Sequence, residues 1–292
     1  MRTAGWLAAC LWPPASSPPL CSAVSVCVIR TLLPVAILTT LAACGGSGGS
    51  SPTAPTGPSV AVPIPAADTC GLLGGTAIYN GAECPPETSS VVLIQLLETQ
   101  GFPAGACSGT VIAPRVVLSA AHCLSRHIGQ AQVSLGSGPA IVASSFVAYP
   151  GYAQNNPATP DVALIFFPED LPRNPVPLLT SRDARVGETA VIEGWGRDQD
   201  NPRATLRAGS TTISRVGSLF LETPFNPPLA AICSGDSGGP LLLEEAAVWA
   251  VAGVSSATTS VACNTGSNFY VAIRNTAALA FVLEHVPRVG RR

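Results

Sequence analysis

Lysine is absent: all fifteen basic residues of the 292-residue chain are Arg. Charged residues make up 11% of it, under half of the roughly one quarter usual in soluble domains. The formal net charge is −2. A nucleic-acid-binding surface, which needs a basic stripe to neutralise phosphates, is therefore excluded. Aromatic residues are only 5% of the chain, and no long periodic charged runs mark exposed helices. Long apolar runs are lacking too. Leu32–Leu41 is a run of ten that would rise only about 15 Å as a helix, half of a bilayer core of about 30 Å. It fits the apolar region of an export signal behind Arg30 rather than a membrane span. There is no Cys-x-x-Cys and no paired-His spacing, which argues against zinc; no metal site and no cofactor is expected.

What the chain does have is 47% hydrophobic residues, enough for a core and too many for wholesale disorder. It has 28 Gly and 28 Pro, the punctuation of short strands joined by many turns. Ten Cys point to an oxidising compartment. The N-terminal part reads as targeting sequence. Residues 1–43 form a signal and targeting segment, of which 1–27, with three Cys and two Pro-Pro pairs, reads as upstream of a misplaced start. Residues 44–77 read as a flexible Gly/Ser tether that grades into a stiffer Pro-rich stretch.

Three short motifs carry chemistry, each at the edge of an apolar run. They are Ser119-Ala120-Ala121-His122-Cys123, Pro160-Asp161-Val162-Ala163-Leu164 and Gly235-Asp236-Ser237-Gly238-Gly239-Pro240. A Ser hydroxyl is a weak nucleophile until a base takes its proton as it attacks. An imidazole suits that task near neutral pH, and a carboxylate on its other nitrogen fixes the tautomer. Glycines around a Ser let backbone N–H groups converge on a developing oxyanion. Together these are the parts of an acyl-transfer site in the chain order His, Asp, Ser. By contrast His127 and His285 have no such context and read as solvated.

With these motifs the sequence resembles the trypsin/chymotrypsin-like (S1) serine endopeptidases. The likeness runs from Ile78 to the C-terminus and includes Ile78-Tyr79-Asn80-Gly81, Gly109-Thr110-Val111-Ile112, Tyr149-Pro150-Gly151-Tyr152, Gly194-Trp195-Gly196, Val254-Ser255 and Phe269-Tyr270-Val271. It implies His122 as general base, Asp161 as its orienter, Ser237 as nucleophile, and the N–H groups of Gly235 and Ser237 as the oxyanion hole. It also implies bridges Cys107–Cys123 and Cys233–Cys263; Cys70 and Cys84 then remain as a third pair. Activation by cleavage of Ala77–Ile78 would free an ammonium at Ile78 to pair with Asp236. No Arg or Lys occurs between residues 31 and 114, so the activator is expected to prefer small residues, this enzyme among the candidates. A Cys70–Cys84 bridge would span the cut, either tethering the mature body or acting as a local staple.

The resemblance places Ala231 at the base of the primary pocket, with Ser255, Ala257 and Asn268 around it and Ser256 beside Ala257. Without a carboxylate at Ala231, Arg or Lys specificity is disfavoured, and a shallow neutral pocket for small or medium apolar residues is expected. The family's calcium loop is not expected, because no carboxylate lies between His122 and Asp161. Leu41-Ala42-Ala43-Cys44 resembles a bacterial lipobox, which implies lipidation of Cys44, a membrane anchor and a cell-envelope location; a secreted form is the alternative.

The implied fold is all-β, two six-stranded antiparallel β-barrels with a C-terminal helix. The first barrel is expected over about 78–175 and the second over about 176–274, with a helix over about 275–286 capped by Asn275 or Thr276. A flexible crossing is expected near 168–187. The partners implied are protein or peptide substrates, and the protease domain, 78–292, is expected to be monomeric. The competing readings are a catalytically silent binding module on the same scaffold, a surface adhesin, and an esterase.

Overall fold

Short runs of Val, Ile and Leu broken by Gly, Pro and Ser fold as strands in the computed structural model, which describes residues 78–124, 127–153, 156, 158–197, 205–260 and 262–292. The first strands are β1 (Ala82–Glu83), β2 (Val91–Glu98), β3 (Pro103–Ala113), β4 (Val116–Ser119), β5 (Ile128–Ser134), β6 (Ile141–Val142), β7 (Ser145–Ala148) and β8 (Ala163–Phe166). The rest are β9 (Thr189–Gly194), β10 (Arg207–Thr212), β11 (Arg215–Val216), β12 (Phe220–Pro224), β13 (Pro240–Glu245), β14 (Val248–Thr258) and β15 (Ser267–Ala272). A single α-helix, α1 (Thr276–His285), follows them. The expected export signal, tether, Cys44 and Cys70 lie outside the described residues.

All strand pairs are antiparallel and fall into two sheets. One has the order β6-β5-β2-β3-β4-β8-β7, the other β1-β10-β9-β13-β14-β15-β12-β11. Seven and eight strands stand where six each are expected, and the geometry explains the difference. β6 pairs with β5 and β7 with β8, yet only two residues separate β6 from β7. The Ala143 N–H still donates to Ala131 and the Ser144 N–H already donates to Phe166. One bent strand therefore joins the two edges of its sheet, which removes them as open edges. β10 and β11 do the same in the second sheet, pairing with β9 and β12 at either end of one bend. β1 is an extra edge piece on β10, so the chain near Ile78 belongs with the second sheet although it precedes the first in sequence.

Alternation along the strands sets the packing. Val92, Ile94 and Leu96 of β2 point into the first sheet's own core, whereas Val91 packs into a separate cluster with Ile112, Leu118, Trp195 and Phe281. This cluster holds residues from both sheets and from α1, and so fixes one sheet against the other. The crossing near 168–187 is hydrogen bonded rather than loose. Leu171 and Val176 donate to Pro114 and Val111, and Leu178 and Leu179 donate to Gly290 and Val251. Proline in this crossing restricts the backbone without preventing those contacts. Thr110–Ser119, which reads as one strand, is broken at Pro114-Arg115 into β3 and β4. The Asn275 side chain caps α1 by accepting from the N–H groups of Ala277 and Ala278. His285 is partly buried rather than solvated, its Nδ1 lying 2.9 Å from the Phe281 carbonyl and its ring packing on that of Phe281.

Candidate active site

β4 ends at Ser119, and a 3-10 turn over Ala121–Leu124 carries His122 at its start. Asp161 stands two residues before β8, the strand that pairs with β4 from Ser119 opposite Ala163. The pairing brings the two residues together. His122 Nδ1 lies 2.6 Å from Asp161 Oδ2, and the His122 backbone N–H donates to Oδ1 at 2.8 Å. Asp161 is buried, with the Ser256 hydroxyl as a third donor, 2.7 Å from Oδ2. With three donors its carboxylate is held as an acceptor, which fixes the imidazole tautomer with Nδ1 protonated and leaves Nε2 free to take a proton. Nearby, burial and, less, the Asp161 charge push the Tyr152 phenol up to about 12.

Ser237 comes from the loop between Cys233 and β13. Gly235 and Gly238 take positive φ there, +100° and +83°. The loop is bound to the first sheet by the Ser108 N–H, which donates to the Ser237 carbonyl at 2.8 Å, and by the Ser108 hydroxyl, which donates to the Gly235 carbonyl at 2.8 Å. A Cβ on Gly238 would meet Ser119 Oγ, the Ser108 carbonyl and the Ala120 nitrogen, so this part of the loop lies against the chain leading into His122. From the other side the Gly238 N–H donates to the Ser255 carbonyl, next in sequence to the Ser256 that holds Asp161. Ser237, His122 and Asp161 are thus stitched into one region where the two sheets meet. Among the described residues no carbonyl accepts from the N–H of Gly235 or of Ser237, so both donors are unspent.

Asp236 is fully buried, and its carboxylate accepts from the Gly196 and Cys233 N–H groups at 2.7 Å each. Burial nonetheless outweighs those bonds and pushes its carboxyl up to about 7. Ile78 is buried in the second sheet's core, and Tyr79 forms a two-way backbone bridge with Ala231. Cys107–Cys123 and Cys233–Cys263 are both formed, and Cys84 is disulfide-bonded. His122 stands within 4.8 Å of the two sulfurs of the first bridge, but oxidised sulfur offers no thiolate to a metal.

The expected pocket residues fare differently. Ala231 is buried against Tyr79 and Cys263. Ser255 is buried and Ala257 is exposed rather than enclosed. Ser256, expected on the pocket wall, instead turns its hydroxyl to Asp161; it is the unpaired residue at a break in the register of β14, where Ser255 pairs with Tyr270 and Ala257 already with Phe269. Asn268 is buried opposite Thr223. The roles of Ser108 and Ser256 are not read from the sequence; their one signal there is a small hydroxyl residue inside an apolar strand. A 370 Å³ cleft lined by Arg182, Val216 and Arg274 contains none of these residues.

Residues 78–282 match the family model named Trypsin. Among curated proteins, Kallikrein-11 of Homo sapiens is 30% identical over 203 residues, covering 60% of this chain and 70% of the relative. Chymotrypsin of Phaedon cochleariae is 30% identical over 193 residues, covering 57% and 69%. A solved structure of HL collagenase superposes with a TM-score of 0.61 at 20% identity, covering 72% of this chain and 99% of that one, which makes the fold chymotrypsin-like.

Proposed function

From the premise that this chain belongs to the trypsin family of serine proteases, we propose that it is an endopeptidase that works through Ser237, His122 and Asp161. The observation that carries this reading is the buried Asp161 carboxylate, 2.6 Å from His122 Nδ1, with the Ser237 carbonyl held by the Ser108 N–H of β3, the strand paired with the β4 that leads to His122. Ser237 Oγ attacks the substrate carbonyl carbon while His122 Nε2 takes its proton. The N–H groups of Gly235 and Ser237 receive the negative charge on the former carbonyl oxygen. His122 then protonates the leaving amine, and the C–N bond breaks to give an acyl-enzyme. Water attacks the ester, again with His122 as base, and Ser237 is restored with its proton. Asp161 stabilises the imidazolium throughout and stays ionised.

Arg and Lys are disfavoured as the residue before the cut, because Ala231 offers no counter-charge. The protease domain is 78–292, acting as a monomer on protein or peptide substrates. It is made active by cleavage of Ala77–Ile78 and pairing of the new ammonium with Asp236. The buried position of Ile78 and the high proton affinity of Asp236 support that step, since a buried carboxylate whose donors do not offset its lost solvation favours its neutral form. The disulfides fit export to an oxidising compartment. Lipidation at Cys44 would anchor the enzyme to a membrane.

The test is hydrolysis of a denatured protein by the mature chain and its variants. Ser237→Ala and His122→Ala are each expected to lower kcat by about 10³-fold or more at unchanged fold. Equal hydrolysis by all three would contradict the reading and leave the binding-module alternative.

A further inference from the structure

Behind the Ser237 loop lies a patch of buried polar side chains that the proton relay does not use. The register of β12, β15 and β14 sets Thr223 opposite Asn268, and Tyr270 opposite Ser255. Asn268 and Tyr270 are two apart on β15, and side chains two apart share a face. The four therefore line one face of three adjacent strands. Thr223 and Tyr270 are fully buried, Ser255 is 1% exposed and Asn268 2%.

Their hydrogen-bonding capacity is largely unspent. Ser255 Oγ has no partner among the described residues, and the Tyr270 hydroxyl lies beside Thr223 without closing a well-formed hydrogen bond. Asn268 Nδ2 reaches the Thr223 carbonyl and hydroxyl oxygens only at 3.5 and 3.4 Å, the outer limit of a hydrogen bond. Folded proteins bury few such groups, since each one left unpaired costs stability. Position supplies a reason for them here. The Ser255 carbonyl accepts from the Gly238 N–H and its own N–H donates to Gly239, each at 2.8 Å, so the cluster begins immediately behind the residues that follow Ser237. Asp236 lies near enough for its charge, when ionised, to push the Tyr270 hydroxyl up further.

We propose that Asn268, Thr223, Ser255 and Tyr270 read the side chain of the residue whose carbonyl Ser237 attacks, and that they select a neutral carboxamide, Gln or Asn. The inference rests on the serine-peptidase reading and deepens it. A carboxamide carries both a donor and an acceptor, which is what an amide and three hydroxyls can satisfy together. An aliphatic side chain of equal size leaves those groups unpaired, and sites built to hydrogen-bond a substrate discriminate strongly against analogues that cannot. A cationic side chain finds no carboxylate free of other donors, since Asp236 is held by Gly196 and Cys233. An anionic one finds no cation among these four side chains. The apolar preference expected from Ala231 is replaced by a polar one, because the strands around it contribute hydroxyls and an amide.

The experiment uses the mature enzyme, its active sites counted with a fluorophosphonate, on matched peptides bearing Gln, Asn, Leu, Ala, Arg or Glu before the cut. kcat/KM for Gln or Asn is expected to exceed that for Leu at least about tenfold. Asn268→Leu and, as a gentler change, Ser255→Ala are each expected to shrink the Gln-to-Leu ratio. An enzyme that titrates fully with the fluorophosphonate yet cleaves after Leu as well as after Gln overturns the proposal and leaves the peptidase reading intact. A protein that neither titrates nor cleaves any of the peptides overturns both.

Discussion

At the scale of single residues, Ser256 shows how a small side chain governs a larger one. Its hydroxyl is one of three donors that hold the buried Asp161 carboxylate and aim it at His122. Ser256→Ala removes one charge-assisted bond and no packing, so kcat/KM is expected to fall about tenfold at unchanged thermal stability, measured on a peptide substrate. An unchanged rate would mean that the two remaining contacts suffice. The three motif residues are legible in the sequence because each side chain's chemistry is written in its type and in its neighbours. Ser256 is not, because it sits at a break in the β14 register that its neighbours in sequence do not announce. Ser255 and Ser256 are identical in type, and only the three-dimensional register decides which one meets the carboxylate. The same register break leaves Ala257 paired with Phe269 and on the surface rather than in a pocket.

At the scale of elements, glycines make the Ser237 loop possible. Gly196 carries no Cβ because one there would lie 2.5 Å from each Asp236 carboxylate oxygen. Gly196→Ala must displace the buried carboxylate or the chain around it, and is expected to cost about 1–3 kcal/mol, read by chemical denaturation. Breaking Cys107–Cys123 by a double Cys→Ser change opens a link across 16 residues and is expected to cost about 3 kcal/mol by the chain-entropy estimate, in the same measurement. Replacing the α1 cap, Asn275→Ala, is expected to cost about 1 kcal/mol. Most strands are visible as apolar runs, from Val91 to Glu98 and from Val248 onward. β10, β11 and β12 are not, because Arg207-Ala208-Gly209-Ser210-Thr211-Thr212 has no apolar alternation and is held by pairing with β9. There tertiary context decides the conformation over local propensity.

At the scale of the whole molecule, cleavage near Ile78 is expected to set the state of one buried carboxyl. Asp236 ordinarily titrates at 3.8 but is pushed up to about 7 in the continuous folded chain. Between those values the folded chain keeps a proton that the unfolded chain has released. Its contribution is therefore fully present below 3.8 and is lost as pH rises through about 7. An ammonium at Ile78 beside the carboxylate would hold it charged and abolish that loss. Denaturation of the uncleaved Ser237→Ala chain is thus expected to show stability falling from pH 5 to pH 8. The same chain cut at Ala77–Ile78 is expected to show no such fall, and parallel curves would count against the pairing. The two-sheet architecture follows from the ordered motifs rather than from composition, which only requires many short strands. The closure of each sheet by one bent strand lies beyond composition, since it depends on how Ala143-Ser144 and Ile213-Ser214 change partners.

Treating the cleaved, native protein with a fluorophosphonate and mapping the modified residue by mass spectrometry tests most directly whether His122 activates Ser237. One adduct per chain is expected, on Ser237, absent from Ser237→Ala and strongly slowed in His122→Ala. No adduct on Ser237, or one that forms as fast without His122, would contradict a nucleophile activated by that imidazole.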